Sequence, residues 1–375
     1  MVFNKSGRLM VRDFFLDSSK LECVKSYKYL GFIITPSGEI NTGIKDLRDR
    51  GFKAFMKIKR DLGIFNQSVS TALLLFNSLI KPIILYCSDF WGPLKIPKSS
   101  SVGELYDYMS RSSPVEKLYS SICKQTIGVQ KQTTNIGVLL ELGVVPLFLY
   151  SIKFSIKNWE RIRNGNANSY LLSAFHESNW LKLPWTENIY TLIDNVGMTS
   201  LRVNDYSDKP PFIYKKMFQR MSDLFHQNSF EKINCESHKL RSYAIFKTKI
   251  GIERYLSDVK NVAERQLITK FRLSNHRLMI EIGRHRGLEK EDRICPFCPT
   301  QIEDELHFLL ECKIYEEQRK IFLYPITKRI QDYGKLSRCK KFEILLCEMD
   351  KQICKYISNC MELRNFLESK PRRLH

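Results

Sequence analysis

The chain has 375 residues, 43% hydrophobic and 27% charged, a composition typical of a globular protein with room for more than one hydrophobic core. Its 60 Lys and Arg against 40 Asp and Glu give a formal net charge of +20, so the expected partner is a polyanion such as nucleic acid, the alternative being a basic surface that serves solubility. The sequence shows no secretory signal and no run of roughly 20 apolar residues, so we expect an intracellular protein, cytoplasmic or nuclear, without a membrane partner.

The first forty residues are predicted to form a short strand unit. The stretch from Cys23 to Ile34 is rich in Val, Tyr, Phe and Ile, and Pro36, Ser37 and Gly38 supply turn residues. We therefore expect an N-terminal β-hairpin in a chain that is otherwise mainly α-helical.

A helical pattern begins at residue 41. Apolar residues recur at the spacing of one helix face from Ile44 to Ile58, which predicts a helix with one buried side. The opposite face is either a solvated surface or a contact surface for nucleic-acid phosphates. Its candidate phosphate-binding residues are Lys45, Arg48, Lys53 and Lys57.

The middle of the chain alternates predicted helices with breaks. A second helix is predicted from about Val69 and should end before Pro82, since proline interrupts a helix. Residues 93–165 contain a Pro- and Ser-rich linker and then helices, one of them ended by Gly143. Residues 166–240 are interrupted repeatedly by Pro and Gly and are predicted to be an irregular linker region with short helices.

A basic helical segment is predicted over residues 241–292. Phe271 lies within it and is expected in the core, whereas the cations around it are candidates for binding nucleic-acid phosphates. Together with one residue just beyond the segment, these candidates are Lys270, Arg272, Arg277, Arg284, Arg286 and Arg293.

The most specific motif is a C-x2-C-x8-H-x4-C pattern made by Cys295, Cys298, His307 and Cys312. Zinc prefers four thiolate and imidazole ligands in tetrahedral geometry, and closed sites of this kind are structural. We therefore predict one structural Zn²⁺ in a small zinc knuckle over residues 293–325, followed by a helical tail over 326–375. Buried cysteines with a core histidine are the alternative interpretation.

Several motifs resemble, in the same order, the C-terminal part of non-LTR (LINE-type) retrotransposon reverse transcriptases. Residues 1–8 and 27–32 resemble the segment just after the polymerase palm, and residues 85–92 resemble the thumb motif. Residues 134–147 and 271–276 resemble the region downstream, and the knuckle is similar to the one near the C-terminus of these polyproteins.

The resemblance implies a function for each segment. Tyr29, Leu30 and Gly31 match the strand motif that lies near the primer end in the family, so residues 1–40 would be a remnant of the palm and primer-grip strands, and residues 41–92 a thumb-like helical segment. The expected partners are RNA and DNA, together with the rest of the reverse transcriptase in trans. No small-molecule substrate is expected.

One departure from the family bears on activity. The polymerase holds two divalent ions with an Asp-Asp pair upstream of the matching segment, and no Asp-Asp pair occurs here. We therefore expect no catalysis by this chain alone, and either a truncated element copy or a partial gene model of an active RNA-directed DNA polymerase. From another class, a helical adaptor with a knuckle for protein contacts is the alternative.

Overall fold

The computed structural model describes residues 1–3, 13–63, 68–97, 101–202, 212–235, 239–347 and 351–369. The fold is mainly α-helical, as predicted, with three short two-stranded hairpins. Contacts divide the chain into two compact units, each assembled from separated stretches. Unit 1 comprises Met1–Leu62, Leu73–Ser120 and Val145–Asn228, and unit 2 comprises Gly63–Ala72, Ser121–Val144 and Ser229–His375.

Unit 1 contains two hairpins and a set of helices. The hairpins pair Phe14–Leu16 with Ser19–Leu21 and Tyr27–Tyr29 with Phe32–Ile34. Its α-helices are Asn41–Leu62, Lys81–Ile84, Ser88–Trp91, Val102–Ser112, Leu147–Arg163, Ser169–Trp180 and Pro184–Asn195, with a π-helix at Phe76–Ile80 and 3₁₀ turns at Pro93–Lys95 and Thr199–Arg202.

Three helices contribute residues to both units, and the helices not yet named belong to unit 2. The shared helices are Val69–Leu75, Pro114–Thr126 and Ile213–Ile233. Unit 2 has one hairpin, Ile294–Cys295 with Cys298–Ile302. Its α-helices are Asn135–Leu142, Arg241–Phe246, Tyr255–Asp258, Val262–Arg272, Met279–His285, Glu316–Gln318, Tyr324–Thr327, Arg338–Cys347 and Lys351–Ser369, with π-helices at His307–Glu311 and Arg319–Leu323 and 3₁₀ turns at Lys313–Tyr315 and Tyr333–Lys335.

The N-terminal hairpin is confirmed, but its predicted turn is wrong. The strands Tyr27–Tyr29 and Phe32–Ile34 are joined by Leu30 and Gly31, whose φ angles are 45° and 89°. Positive φ at both turn residues gives the twist that suits a two-residue hairpin connection. The Pro36–Gly38 turn instead follows the hairpin and leads into the first long helix.

The amphipathic helix Asn41–Leu62 is confirmed. Ile44, Leu47, Phe55 and Ile58 are buried along one face. Gly51 lies on the same face, and a Cβ at this position would overlap the Ile84 side chain. A residue without a side chain is therefore required where the two segments approach each other.

The predicted helix end before Pro82 is wrong. The chain passes from the helix Val69–Leu75 through the π-helix Phe76–Ile80 and continues as the helix Lys81–Ile84. The wider π turn shifts the hydrogen-bond register, so that Pro82 falls in the first turn of the next helical segment, where its missing N–H costs little.

Residues 166–240, predicted to be an irregular linker region with short helices, contain the helices Ser169–Trp180, Pro184–Asn195 and Ile213–Ile233, so the region is more regular than predicted. The breakers among the described residues lie between these helices or at their starts, and residues 209–211 lie outside the described ranges. Pro184 begins a helix, and Gly197, with φ 73°, follows its end. Such positions suit proline and glycine and delimit the helices without preventing them.

Two buried glutamates of unit 1 hold the starts of helices. The Glu116 carboxylate accepts hydrogen bonds from the backbone N–H groups of Leu147 and Phe148 at 3.1 and 2.8 Å. Glu160 accepts from Ile213 and Tyr214, both at 3.2 Å. The first N–H groups of a helix lack intrahelical partners, so each carboxylate satisfies two of them and fixes the helix that follows.

Candidate metal centre

The hairpin of unit 2 supplies two sulfurs of the predicted ligand set. Cys295 and Cys298 are cross-strand partners joined by Pro296 and Phe297. A two-residue connection returns the chain on itself, so both side chains lie at the same end of the hairpin. Cys295 is 2% exposed and Cys298 is 8% exposed.

A π turn brings the other two ligands to the same point. On an α-helix of roughly 3.6 residues per turn, side chains five positions apart point roughly 140° away from each other. His307–Glu311 is instead a π-helix, and the Cys312 N–H donates to the His307 carbonyl at 2.8 Å. This wider turn aligns His307 with Cys312.

The four side chains form one buried cluster that could hold a single metal ion. Their ligand atoms all lie within 4.8 Å of one another. The Cys312 sulfur is 3.9 Å from that of Cys295 and 3.8 Å from that of Cys298. The His307 side chain is 1% exposed; its Nδ1 lies 3.6 Å from a Glu311 carboxylate oxygen, and its ring lies beside the Cys295 thiol. A bound cation would give this buried imidazole a strong partner.

The raised pKa of one cysteine in the cluster also favours a bound cation. The neighbouring Cys312 thiol and burial raise the pKa of Cys295 to about 12. Thiolates bind metal, so a positive ion is needed to deprotonate such a group near neutral pH. The donor set and its burial therefore fit a metal ion.

The side chains around the cluster connect distant parts of unit 2. Glu303 lies 3.8 Å from the Cys295 sulfur and forms a buried ion pair with Arg364. Arg319 donates to the Cys312 carbonyl at 2.7 Å. Sequence analysis missed Arg319 and Arg364, and no local motif could have revealed Arg364, which lies 61 residues from Glu303.

The cluster is continuous with the core of unit 2. Phe308, next to His307 in the chain, is fully buried and packs against Phe271, Tyr315 and Tyr356, with ring centroids 5.6, 4.9 and 6.3 Å away. The prediction that Phe271 belongs to the core is confirmed. The order of the metal centre is thus coupled to that of the aromatic core.

Arg272 was predicted to bind nucleic acid, but it is buried and paired with carboxylates. Its side chain is 1% exposed and pairs with Glu141 at 2.5 Å and Glu253 at 2.6 Å. Its remaining nitrogen donates to the Leu346 carbonyl at 2.9 Å. A charge buried and paired in this way serves the fold, because phosphate could reach it only if the core opened.

Arg293 is half-buried and its guanidinium also faces the protein. It donates to the Leu288 carbonyl at 3.1 and 2.8 Å and to the Ile280 carbonyl at 3.2 Å. The sequence predicted that Arg293 would bind phosphates. Its guanidinium N–H groups are instead hydrogen-bonded to the backbone of the segment that precedes the knuckle.

The other predicted cations of unit 2 remain accessible. Arg277 and Arg286 are exposed, and Lys270 is half-buried. Arg284 is partly exposed, 3.6 Å from Glu281. These four residues stay candidates for contact with a polyanion.

The predicted cations of unit 1 lie on the outer face of the helix Asn41–Leu62. Lys45, Lys53 and Lys57 are exposed, and Arg48 pairs with Asp49 at 2.9 Å. The predicted division of this helix into a buried and a basic face is therefore confirmed.

The Tyr29, Leu30 and Gly31 motif forms the tip of the second hairpin. Arg50 donates to the Gly31 carbonyl at 2.9 Å, and the Tyr86 hydroxyl donates to the Leu30 carbonyl. Tyr29 and Leu30 are exposed. The tip is thus held by its backbone and presents its side chains outward.

No protein-family model, curated protein or solved structure matches this chain. The fold and the site define a mainly α-helical protein whose second unit is built around a Cys₃His cluster. Within the described ranges, no single helix is both long and apolar enough to cross a membrane; only Asn135–Leu142 and Leu147–Arg163 taken together reach that length and composition, and they are bent at the break between them.

Proposed function

We propose that the metal is zinc. Three sulfurs and one imidazole nitrogen are the ligand types of structural zinc sites, and four protein ligands leave no open position. With Zn–S bonds of about 2.3 Å, tetrahedral geometry places sulfurs about 3.8 Å apart. The two sulfur separations involving Cys312, 3.9 and 3.8 Å, agree with that geometry.

The zinc ion would act as a structural crosslink. It would join the hairpin, the π turn and, through Glu303 and Arg364, the C-terminal helix Lys351–Ser369. The knuckle, residues 293–325, is too short to be ordered by apolar burial alone, so metal binding would supply folding free energy.

We further propose that the protein binds nucleic acid, as the C-terminal part of a LINE-type reverse transcriptase would, and does not polymerise by itself. The observation that carries this proposal is the attachment to the metal centre of the helix Met279–His285, whose last turn carries Arg284 and is followed directly by Arg286. Glu303 accepts from the Met279 N–H through its carboxylate at 2.6 Å and from the Ile280 N–H through its carbonyl at 3.1 Å. The backbone that carries Arg284 and Arg286 is thereby tied to the metal centre, and both side chains reach the surface, where they can meet phosphates.

One observation favours the second candidate function, an adaptor for protein contacts. Ile321 and Tyr324, near the end of the predicted knuckle, are exposed large apolar side chains in unit 2. Exposed apolar residues of this size are typical of protein interfaces when they cluster. Charge reversal discriminates the two functions, because an apolar interface would be insensitive to it.

The test is a salt titration of oligonucleotide binding by the full chain. For single-stranded nucleic acid, the logarithm of the binding constant falls with the logarithm of salt concentration by about 0.7 per phosphate contact. The Arg284→Glu, Arg286→Glu double variant should bind RNA more weakly and reduce this slope by about 1.4. Fluorescence anisotropy with a labelled 20-nucleotide RNA measures both quantities.

The matched control is the Lys335→Glu, Lys355→Glu double variant. Both lysines are exposed in unit 2, and Lys335 pairs with Asp332 much as Arg284 approaches Glu281. Circular dichroism of both variants shows whether the fold is kept. Equal binding by the two double variants would contradict the proposed role of Arg284 and Arg286, and salt-insensitive or absent binding by the unmodified chain would contradict the function itself.

A further inference from the structure

A basic groove in unit 1 contains none of the candidate phosphate-binding residues predicted from the sequence, although residues 85–89 of the thumb-like motif line part of it. It is formed by the chain around Asn77–Asp89 and by the helix Leu147–Arg163, is open to solvent, and has a volume of about 1020 Å³. Ligand sites in proteins have volumes of roughly 300–1,000 Å³, so this groove could take several planar groups at once.

The charge of the groove is strongly positive. Lys81, Lys153, Lys157 and Arg161 line it, and Asp89 contributes the one carboxylate among its described lining residues. The salt bridges found in the described part of the chain include none of these four cations. Like charges held together without counter-charges favour an anionic ligand.

Lys81 shows the effect of this crowding most directly. Its ammonium lies 3.0 Å from the centre of the Tyr150 ring and 3.4 Å from the Asn77 side-chain oxygen. Burial and the nearby Lys153 charge lower the pKa of Lys81 to about 8. A phosphate beside this ammonium would favour its charged form and relieve the repulsion.

Aromatic rings are interleaved with these cations. Tyr86 and Phe154 line the groove and are 40% and 39% exposed. The Lys153 ammonium is 4.7 Å from the centre of the Phe218 ring, within the range of a cation–π contact. Exposed rings beside cations are the combination by which proteins bind single strands, because the bases stack on rings while the cations neutralise phosphates.

We infer that this groove binds a single-stranded nucleic-acid segment, with phosphates at Lys81, Lys153, Lys157 and Arg161 and bases against Tyr86 and Phe154. The inference rests on the proposed nucleic-acid-binding function and adds a second contact surface, in a different unit from Arg284 and Arg286. A single strand fits better than a duplex because paired bases cannot present their faces to a protein ring.

The first experiment is charge reversal inside and outside the groove. The Lys153→Glu, Lys157→Glu double variant should lose about 10-fold or more in affinity for a 12-nucleotide oligouridylate at 100 mM salt. The matched control is Lys117→Glu, Lys216→Glu, which alters the net charge of unit 1 equally at two exposed positions outside the groove. Circular dichroism confirms that both variants are folded.

The second experiment isolates stacking. Phe154→Ala should weaken binding of the oligouridylate about 5- to 150-fold, and Phe154→Tyr should retain it, because tyrosine keeps the ring. An abasic oligonucleotide of the same length should bind the Phe154→Ala variant and the unmodified chain equally.

The third experiment does not depend on a folded variant. A 4-thiouridine oligonucleotide crosslinked to the unmodified chain should label peptides containing Tyr86 or Tyr150–Arg161. If the chain binds oligonucleotides but crosslinks elsewhere, and the groove variants bind like their controls, the groove assignment is overturned while the proposed function stands. Failure of the unmodified chain to bind any oligonucleotide at low salt would overturn both.

Discussion

The two units differ in whether arginines pair with their buried carboxylates. In unit 2, Arg272, Arg241 and Arg364 are paired with buried carboxylates. In unit 1, the cations of the groove at Lys81 and Lys153 have no carboxylate partner among the described residues, and the buried acid Glu116 is held by backbone N–H groups instead. A net charge of +20 therefore does not show which cations are available to a partner.

This difference has a physical origin in how each unit neutralises its buried acids. A carboxylate removed from water must be paired or hydrogen-bonded. Unit 1 places Glu116 and Glu160 at helix starts, where free N–H groups are present. In unit 2, Arg272 pairs with Glu141 and Arg241 with Glu305. Glu303 accepts from the Met279 N–H at a helix start and also pairs with Arg364.

Removal of the metal should have the largest effect, and it should be confined to unit 2. Structural zinc contributes roughly 10–16 kcal/mol in small zinc peptides, as much as the whole stability of a typical domain. We expect about one zinc per chain by mass spectrometry. Chelation, or the Cys298→Ser substitution, should remove a large part of the thermal transition seen by circular dichroism.

Cys339→Ser is the matched control for this measurement. Cys339 is an exposed cysteine outside the cluster, so its substitution should leave both the metal content and the melting curve unchanged. Identical melting of the metal-free and metal-loaded protein would contradict a structural role for the ion.

Arg272→Met should have the next largest effect. It leaves Glu141 and Glu253 without their buried partner, and breaking a buried pair typically costs about 3–5 kcal/mol. Urea unfolding measures the loss. Arg286→Met, at an exposed position, should change the free energy of unfolding by no more than about 0.5 kcal/mol. A small loss for Arg272→Met would show that the network is not needed for the fold.

The smallest of the three effects should be a pH dependence in unit 1. Burial, offset in part by the Phe148 and Leu147 N–H groups, raises the pKa of Glu116 from 4.5 to about 7. Between pH 4.5 and 7 the folded state therefore retains a proton that the unfolded state loses. The stability that Glu116 contributes is fully present below pH 4.5. That contribution declines as the pH rises from 4.5 to 7, by an upper limit of about 3 kcal/mol.

Glu116→Gln isolates this contribution because glutamine does not titrate. The difference in unfolding free energy between the unmodified chain and this variant should shift with pH over 4.5–7 and be constant above that range. Chemical unfolding at a series of pH values measures the difference. A pH-independent difference would show that Glu116 is ionised throughout in the folded protein.

Local patterns predicted a large part of the fold and of the metal centre. The buried face of the helix Asn41–Leu62 follows from apolar spacing, and the four ligands follow from a motif only 18 residues long. The hairpin turn at Leu30 and Gly31 was missed because leucine seldom adopts a positive φ, and the tertiary bonds from Arg50 and Tyr86 support it.

The sequence by itself determined the helical class, the basic character and the identity of the cluster ligands, because each depends on composition or on residues close together in the chain. Only the tertiary structure decided which cations are free to meet a polyanion. Arg272 and Glu141 are 131 positions apart, and Arg364 and Glu303 are 61 apart. Pairing over such separations is set by packing of the whole unit, and the basic groove of unit 1 likewise exists only where two distant segments fold side by side.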